Sequence, residues 1–171
     1  LLFFFFCGGL VAPESDTNLW TYKFTWAPRL VVLAGQGGVA KFIQEGAYKY
    51  IPYCNLFRRT EFLDVEGYGR FEGYSNRDSL KYRSVYGLDD VLTLYRGTIR
   101  KVGFSKAWNM FVQLGMTDDS YVMENSEKMS YRTFVNSFLP YHPTDSVEIK
   151  TRLILKIDQD DIMWDKLLEL D

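Results

Sequence analysis

Apolar and polar positions follow different patterns in the two halves of the chain. A continuous apolar run, LLFFFF, occupies residues 1–6. Such a run predicts a strand that is buried on both faces. Between Lys41 and Ile51 apolar and polar residues roughly alternate around Glu45-Gly46, which predicts a hairpin. Further segments with strand or turn character are residues 62–65, 67–74 and 91–95.

Helical signals dominate after Gly103. Predicted N-caps precede successive helical segments, and these caps are Ser105, Ser130, Thr144 and either Asp160 or Asp161. Gly115 suits the end of the first of these helices, and a short earlier helix is expected to begin at Pro28 and to bury residues 31–33. Strands precede helices, so we predict an α+β fold, a mixed β-sheet with helices followed by a small all-α appendage. We place the two domains at residues 1–116 and 117–171.

Composition supports a packed globular chain. Of the 171 residues, 47% are apolar and 17% are aromatic, and such side chains must be buried to offset the entropy of the chain. The 20 basic and 22 acidic residues are scattered, so a nucleic acid is not expected as a partner. The opening apolar run is shorter than the roughly 20 residues of a membrane span, and no basic residue precedes it as in a signal peptide. No membrane partner is expected.

The reactive side chains are few. Cys7, Cys54 and His142 are too few to supply the protein ligands of a closed zinc site, so no metal is expected. With no disulfide-dense pattern, a reducing cytoplasm is the expected compartment.

Four ordered segments carry a resemblance to a known family. They are FCGGLVAPE at residues 6–14, YKFTWAPR at residues 22–29, YSNRDS at residues 74–79 and RGTIR at residues 96–100. Their order and approximate spacing resemble those of the glutamate-forming saccharopine dehydrogenases, also called saccharopine reductases. The resemblance covers most of residues 6–116 and weakens through the helical tail.

This resemblance implies the substrate and dimerisation domain of such an enzyme, with residues 117–171 as a helical insertion. Members of the family interconvert saccharopine with 2-aminoadipate 6-semialdehyde and glutamate, usually with NADP, in lysine metabolism. The Rossmann domain that binds most of the cofactor is expected to be absent from this chain, which would then be inactive alone. A homodimer is implied as well.

By the same resemblance, Arg77, Thr98, Ile99 and Arg100 are expected to bind the substrate. Saccharopine carries three carboxylates, and arginine can hold a carboxylate through two hydrogen bonds. The alternative for Arg77 is a local ion pair with Asp78 or another neighbouring acid. No residue of this chain is assigned a catalytic role.

Cys7 and Pro28 are expected near the cofactor, Cys7 as a polar lining group and Pro28 through its main chain. The segment GQGGVA at residues 35–40 satisfies a dinucleotide-binding pattern. We do not assign it to the cofactor, because Glu45-Gly46 follows too soon for the long helix that would hold a pyrophosphate.

Two other functions stay open at this stage. One is a non-catalytic dimerisation or ligand-binding module with a vestigial pocket. The other is a related reductase that forms carboxylated polyamines, whose extra amine would call for acidic residues near Arg77 and Arg100.

Overall fold

The computed structural model describes residues 1–18, 20–25 and 27–155. The described chain forms two compact units, Leu1–Lys106 and a second that begins at Ala107. The unit boundary therefore falls inside a helix, whereas the sequence places the domain boundary after that helix, at Met116.

Strands of the first unit form a mixed sheet. Their bounds are β1 Leu2–Cys7, β2 Ala40–Gln44, β3 Ala47–Ile51, β4 Glu61–Val65, β5 Gly69–Ser75 and β6 Thr93–Lys101. The order is β3-β2-β6-β5-β4, and β1 pairs with β6. Only the β1–β6 pair is parallel; the other pairs among the described strands are antiparallel. Since β1 and β5 both pair with residues 97–98, they occupy opposite edges of β6.

The helices are short. Their bounds are α1 Pro28–Val32, α2 Tyr53–Leu56, α3 Tyr82–Val85, α4 Phe104–Leu114, α5 Tyr131–Asn136 and α6 Val147–Leu155. Single 3-10 turns cover Pro13–Ser15, Ala34–Gly37 and Ser126–Lys128. A mixed, largely antiparallel sheet together with these helices confirms the predicted α+β class.

The predicted hairpin is confirmed as β2 and β3. Glu45 and Gly46 both have positive φ, 51° and 80°, which is the turn geometry that matches the twist of a two-residue hairpin. The backbone N–H of Glu45 donates to Thr93 Oγ1 at 3.0 Å, so the turn is attached to the start of β6. Ile43 pairs with Leu94, and both are buried with Val91 in an apolar cluster.

The prediction that the opening strand is buried on both faces is wrong. Residues 2–7 do form β1, but Leu2, Phe3, Phe4 and Phe5 are exposed, at 62%, 41%, 50% and 51%. Phe6 is only half-buried, and its ring packs against Tyr95. A continuous apolar run indicates that both faces of a strand can be buried. It does not show that any element of the described chain packs against those faces.

Two helix predictions need correction. Ser105 is not the N-cap of α4, since it lies one residue inside a helix that begins at Phe104. Also, α1 begins at Pro28 as predicted, but it contains no buried residue, so it carries no side chain into the core.

In the second unit, Ser130 is confirmed as an N-cap, since its side chain accepts from Thr133 N at the start of α5. The helix ends at Asn136. Ser146 Oγ accepts from Ile149 N at the start of α6, a role expected of Thr144. The predicted helix at residues 163–170 lies outside the described residues.

Candidate functional site

β6 places three cationic or polar side chains on one face of the sheet. Side chains of a strand alternate between faces, so Arg96, Thr98 and Arg100 share a face and Ile99 points to the other. β6 continues without interruption through Gly97. The ring of Phe6 packs so closely against this position that a Cβ on residue 97 would lie 2.4 Å from Cε1 of Phe6. The close approach of Phe6 therefore explains the glycine.

Arg100 is the most enclosed cation of this face. Its exposure is 9%, and its Nη1 donates to the carbonyl oxygens of Gly9 at 3.2 Å and Ile99 at 3.3 Å. Its guanidinium carbon lies 4.7 Å from the ring centroid of Tyr22 and 5.2 Å from that of Phe104. Its buried Nε has no hydrogen-bond partner among the described residues. A buried donor without an acceptor is costly, so the pocket is suited to an incoming anion.

Glu72, the acidic neighbour of Arg100, forms its hydrogen bonds with backbone N–H groups and not with the arginine. Glu72 pairs with Arg100 across the β5–β6 ladder and is 5% exposed. Its carboxylate accepts from the backbone N–H groups of Gly103, at 3.3 Å, and of Ser105. These N–H groups open α4, where a carboxylate is favourable because it meets otherwise unpaired donors and the positive end of the helix dipole.

Tyr74 adds a buried phenol beside Arg100. It pairs with Thr98 across the ladder, which places Tyr74, Thr98 and Arg100 on one face. Burial raises the pKa of Tyr74 to about 12, and the charge of Arg100 opposes part of that rise. The phenol therefore stays protonated at neutral pH and is able to donate a hydrogen bond.

Arg77 lies in the loop after β5. The preceding residue, Asn76, is attached to β6 twice: Nδ2 donates to Thr98 Oγ1 at 2.9 Å, and its backbone N–H donates to Arg96 O at 2.8 Å. Arg77 itself has a φ of 49°, a conformation that non-glycine residues rarely adopt and that often marks functional positions.

The side chain of Arg77 is exposed and makes no ion pair with the described residues. The alternative partner, Asp78, instead pairs with Lys41, Nζ to Oδ2 at 3.6 Å. Arg77 runs along the glycine-rich turn, since a Cβ on Gly37 would lie 2.9 Å from its Nε. No hydrogen bond among the described residues joins Arg77 to Arg100.

The remaining predicted residues, Cys7 and Pro28, are both exposed. Cys7 pairs with Thr98 in the parallel ladder, so both point to the same face, and its free thiol is exposed. The next residue, Gly8, packs against the main chain of Ile99: a Cβ on Gly8 would lie 2.2 Å from the Ile99 carbonyl oxygen. Pro28 is exposed at the first turn of α1, and no hydrogen bond or ring contact among the described residues links it to Arg100.

The prediction omitted the aromatic and polar neighbours of Arg100. Tyr22, Tyr74 and Phe104 touch or face its guanidinium, and Glu72 is its cross-strand partner. The period of two along a single strand could relate Arg96, Thr98 and Arg100. Neighbours from other segments depend on the register of β5 against β6, which no local pattern encodes.

The segment GQGGVA at residues 35–40 does not form a dinucleotide site in the described chain. It continues a 3-10 turn and leads into β2 at Ala40, so no helix N-terminus follows it. The described residues contain no helix long and apolar enough to cross a membrane. Nor do the described His, Cys, Asp and Glu residues form a group of three that could hold a metal ion.

The fold and the site define a class of protein: an α+β domain whose mixed sheet carries Arg100, Thr98 and a buried phenol, that of Tyr74, on one face. Comparison with known proteins agrees with this class. Residues 2–166 match the family described as Saccharopine dehydrogenase C-terminal domain. The chain belongs to this family.

Relatives include an alpha-aminoadipic semialdehyde synthase, mitochondrial, from Mus musculus, 39% identical over 111 residues, which are 65% of this chain and 12% of that protein. The saccharopine dehydrogenase [NADP(+), L-glutamate-forming] of Saccharomyces cerevisiae is 31% identical over 157 residues, which are 91% of this chain and 34% of that protein.

A solved structure, the apo histidine-tagged saccharopine dehydrogenase (L-Glu forming) from Saccharomyces cerevisiae, matches with a TM-score of 0.75 and 26% identity. The match covers 96% of this chain and 37% of that chain. This chain thus spans between about an eighth and about a third of the length of these relatives.

Proposed function

We propose that this chain is the substrate-binding part of an oxidoreductase that interconverts saccharopine with 2-aminoadipate 6-semialdehyde and glutamate. The names of the yeast and mouse relatives support the reaction. The observation that carries the proposal is the setting of Arg100, whose guanidinium is buried, whose Nε has no hydrogen-bond partner and whose charge meets no carboxylate of the described chain.

Saccharopine fits the chemistry of this pocket. It carries three carboxylates and a secondary amine, and planar guanidinium groups bind carboxylates with directed, charge-assisted hydrogen bonds. Arg100 would hold one carboxylate through Nε. Tyr74, whose phenol keeps its proton, and Thr98 on the same face would add neutral hydrogen bonds.

Arg77 would bind a second carboxylate. Its side chain has no anionic partner among the described residues, and the Asn76 contacts with β6 hold its backbone beside the pocket. Ile99 contributes its main chain, because its side chain points to the opposite face. The alternative function as a carboxylated-polyamine reductase receives less support, because the buried acid next to Arg100, Glu72, is used by α4.

The names of two yeast relatives indicate NADP, but no helix N-terminus follows the glycine-rich segment of the described chain to hold its phosphates. We propose that other parts of the longer protein hold the dinucleotide. Cys7, exposed at the end of β1 and on the face of Thr98, would line the junction with the nicotinamide, and Pro28 would contact it through its main chain.

Association as a homodimer is also proposed. The outer edge of β1 has no partner strand in the described chain, and its exposed phenylalanines make such an edge prone to pair. This feature equally suits the alternative of a non-catalytic dimerisation module. For the compartment, the cytoplasm stays the prediction, while the mouse relative is mitochondrial by its name.

Isothermal titration of the chain tests the proposal, with saccharopine and NADPH in separate experiments. We expect saccharopine to bind and NADPH not to bind. Arg100→Lys and Arg77→Ala should each weaken saccharopine binding about tenfold or more, since a charge-assisted hydrogen bond contributes about 1.5–3 kcal/mol. Arg70→Gln is the matched control, because Arg70 is an exposed arginine that pairs with Asp64 on β4.

Three results would contradict the proposal. They are no saccharopine binding, equal binding by the Arg100 and Arg77 variants, and NADPH binding by the unaltered chain. The last would restore the glycine-rich segment as a cofactor site.

A further inference from the structure

A cavity opens in the first unit, and Arg100 is not among the residues that line it. Its volume is about 420 Å³, within the roughly 300–1,000 Å³ typical of small-molecule sites. The residues that line it include Phe3, Phe5, Tyr82, Tyr86, Leu94 and Arg96. Arg96 lies in the RGTIR segment, but neither the resemblance nor the proposed substrate site assigns it a ligand.

The register of β1 against β6 explains the first aromatic wall. Phe3 pairs with Leu94 and Phe5 with Arg96 in the parallel ladder, so these side chains share a face. Phe3 and Phe5 are 41% and 51% exposed, although they are large apolar groups. Two phenyl rings therefore flank the arginine and stay accessible to a ligand.

α3 supplies the second aromatic wall. Tyr82 and Tyr86 stand one helical turn apart and stack, with centroids 5.9 Å apart and an interplanar angle of 24°. Tyr82 also holds Arg96: the guanidinium carbon lies 5.0 Å from its ring centroid, and Nη1 donates to its hydroxyl at 3.2 Å. The cation is thereby fixed at the wall of the cavity.

Arg96 has no negative partner in the part of the chain that the structure describes. Its side-chain contacts in the described chain are with the neutral Tyr82, and no described carboxylate forms an ion pair with it. Arg96 is half-buried, so part of its hydration is lost without compensation by an opposite charge. A guanidinium in this state, between aromatic rings, is complementary to an anion with an apolar body.

We propose that this cavity binds a small amphipathic carboxylate, with the carboxylate on Arg96 and a flat apolar body against Phe3, Phe5 and the stacked tyrosines. This function goes beyond the proposed one and does not depend on it. Arg96 and Arg100 are four residues apart on one strand, or about 13 Å, so the two arginines can serve separate ligands.

Titration of the chain with 1-naphthoate and with 1-naphthalenemethanol tests the site. The two probes share the ring system and differ in charge. We expect naphthoate to bind at least about tenfold more tightly than the alcohol, because only naphthoate can form the charge-assisted pair. Arg96→Gln should remove this difference by weakening naphthoate alone, and Arg96→Lys should preserve part of it.

Matched variants separate this site from the others. Arg70→Gln removes an arginine that also lies over a ring, that of Phe62 at 4.6 Å, and should leave both affinities unchanged. Arg77→Ala should weaken saccharopine binding but leave naphthoate binding intact, so failure of either proposal is visible without the other. Tyr86→Ala should weaken both probes equally.

The proposal is overturned if naphthoate does not bind, if both probes bind the unaltered chain equally, or if Arg96→Gln leaves naphthoate affinity unchanged. Displacement of naphthoate by saccharopine would also overturn it, because the cavity would then be an extension of the substrate site. Should Arg96→Gln fail to fold by circular dichroism, the comparison of the two probes on the unaltered chain decides.

Discussion

Glu72 and Arg100 face each other across the β5–β6 ladder, yet their charged groups do not pair. The carboxylate accepts the first N–H groups of α4, and the guanidinium donates to Gly9 and Ile99 carbonyls. The backbone at the start of α4 thus binds the buried carboxylate of Glu72, which leaves the buried guanidinium of Arg100 without an ion pair. The consequence is an arginine whose charge is available to a ligand.

This arrangement predicts the effect of Glu72→Gln. The amide would turn an N–H₂ group toward one of the two backbone donors, Gly103 N or Ser105 N, and one hydrogen bond would be lost in a buried setting. We expect a loss of about 1–3 kcal/mol in the free energy of unfolding, measured by urea denaturation. Glu61→Gln, at an exposed position on β4, is the control and should change stability by less than about 0.5 kcal/mol.

The close approach of β1 to β6 predicts a sharp difference between two neighbouring glycines. In Gly8→Ala the new methyl group would lie 2.2 Å from the main-chain oxygen of Ile99, so a strand end must move. In Gly9→Ala it would lie 3.7 Å from Thr25 Oγ1, an ordinary contact. We expect Gly8→Ala to cost about 1–3 kcal/mol in unfolding free energy and to weaken saccharopine binding.

Gly9→Ala is the matched control and should stay near the stability and affinity of the unaltered chain. Equal behaviour of the two variants would show that the approach of Gly8 to Ile99 does not position the pocket.

Much of this site could be predicted from one strand and one resemblance. Alternation along β6 places Thr98 and Arg100 together, and the YSNRDS segment identifies Arg77. The partners of Arg100 could not be found in this way. Tyr74 lies on another strand and Tyr22 in an irregular segment, so their approach depends on long-range pairing and on the loop after Gly9.

Burial was the weaker part of the prediction. The apolar run correctly predicts the strand β1, but the exposure of β1 in the described chain depends on which elements pack against it, and local sequence does not supply that information. Similarly, the pattern indicates that α4 begins near Ser105. The first backbone N–H groups of α4 donate to the carboxylate of Glu72, which is remote in sequence, so the helix does not need a local N-cap at Ser105.

Glu148 in the second unit predicts a dependence of stability on acid. Its pKa is lowered from 4.5 to about 2, chiefly by the hydroxyl of Ser146, then by its own backbone N–H and by Arg132. A lowered pKa in the folded state means that the stabilisation is present above pH 4.5 and is lost as the pH falls toward about 2. Its side chain is 25% exposed, so the contribution should not exceed about 1 kcal/mol.

Comparison of the unaltered chain with Glu148→Gln measures this contribution. The variant should be less stable at about pH 7, and the difference should vanish near the lowered pKa. If the difference in unfolding free energy between the two proteins stayed the same in acid, the packing of the side chain and not its charge would be the cause.

Tyr74 predicts the opposite dependence, in alkali. Its pKa is raised from 10.0 to about 12 because burial disfavours the phenolate, while Arg100 opposes the rise. A raised pKa in the folded state means that the stabilisation is complete below pH 10 and is lost as the pH rises toward about 12. The unaltered chain should therefore lose stability across that range more steeply than Tyr74→Phe, which has no proton to release there. Difference absorbance of the two proteins during alkaline titration would follow the ionisation of this phenol directly. An ionisation near pH 10 would show that solvent reaches Tyr74, and the pocket around Arg100 would then be open rather than enclosed.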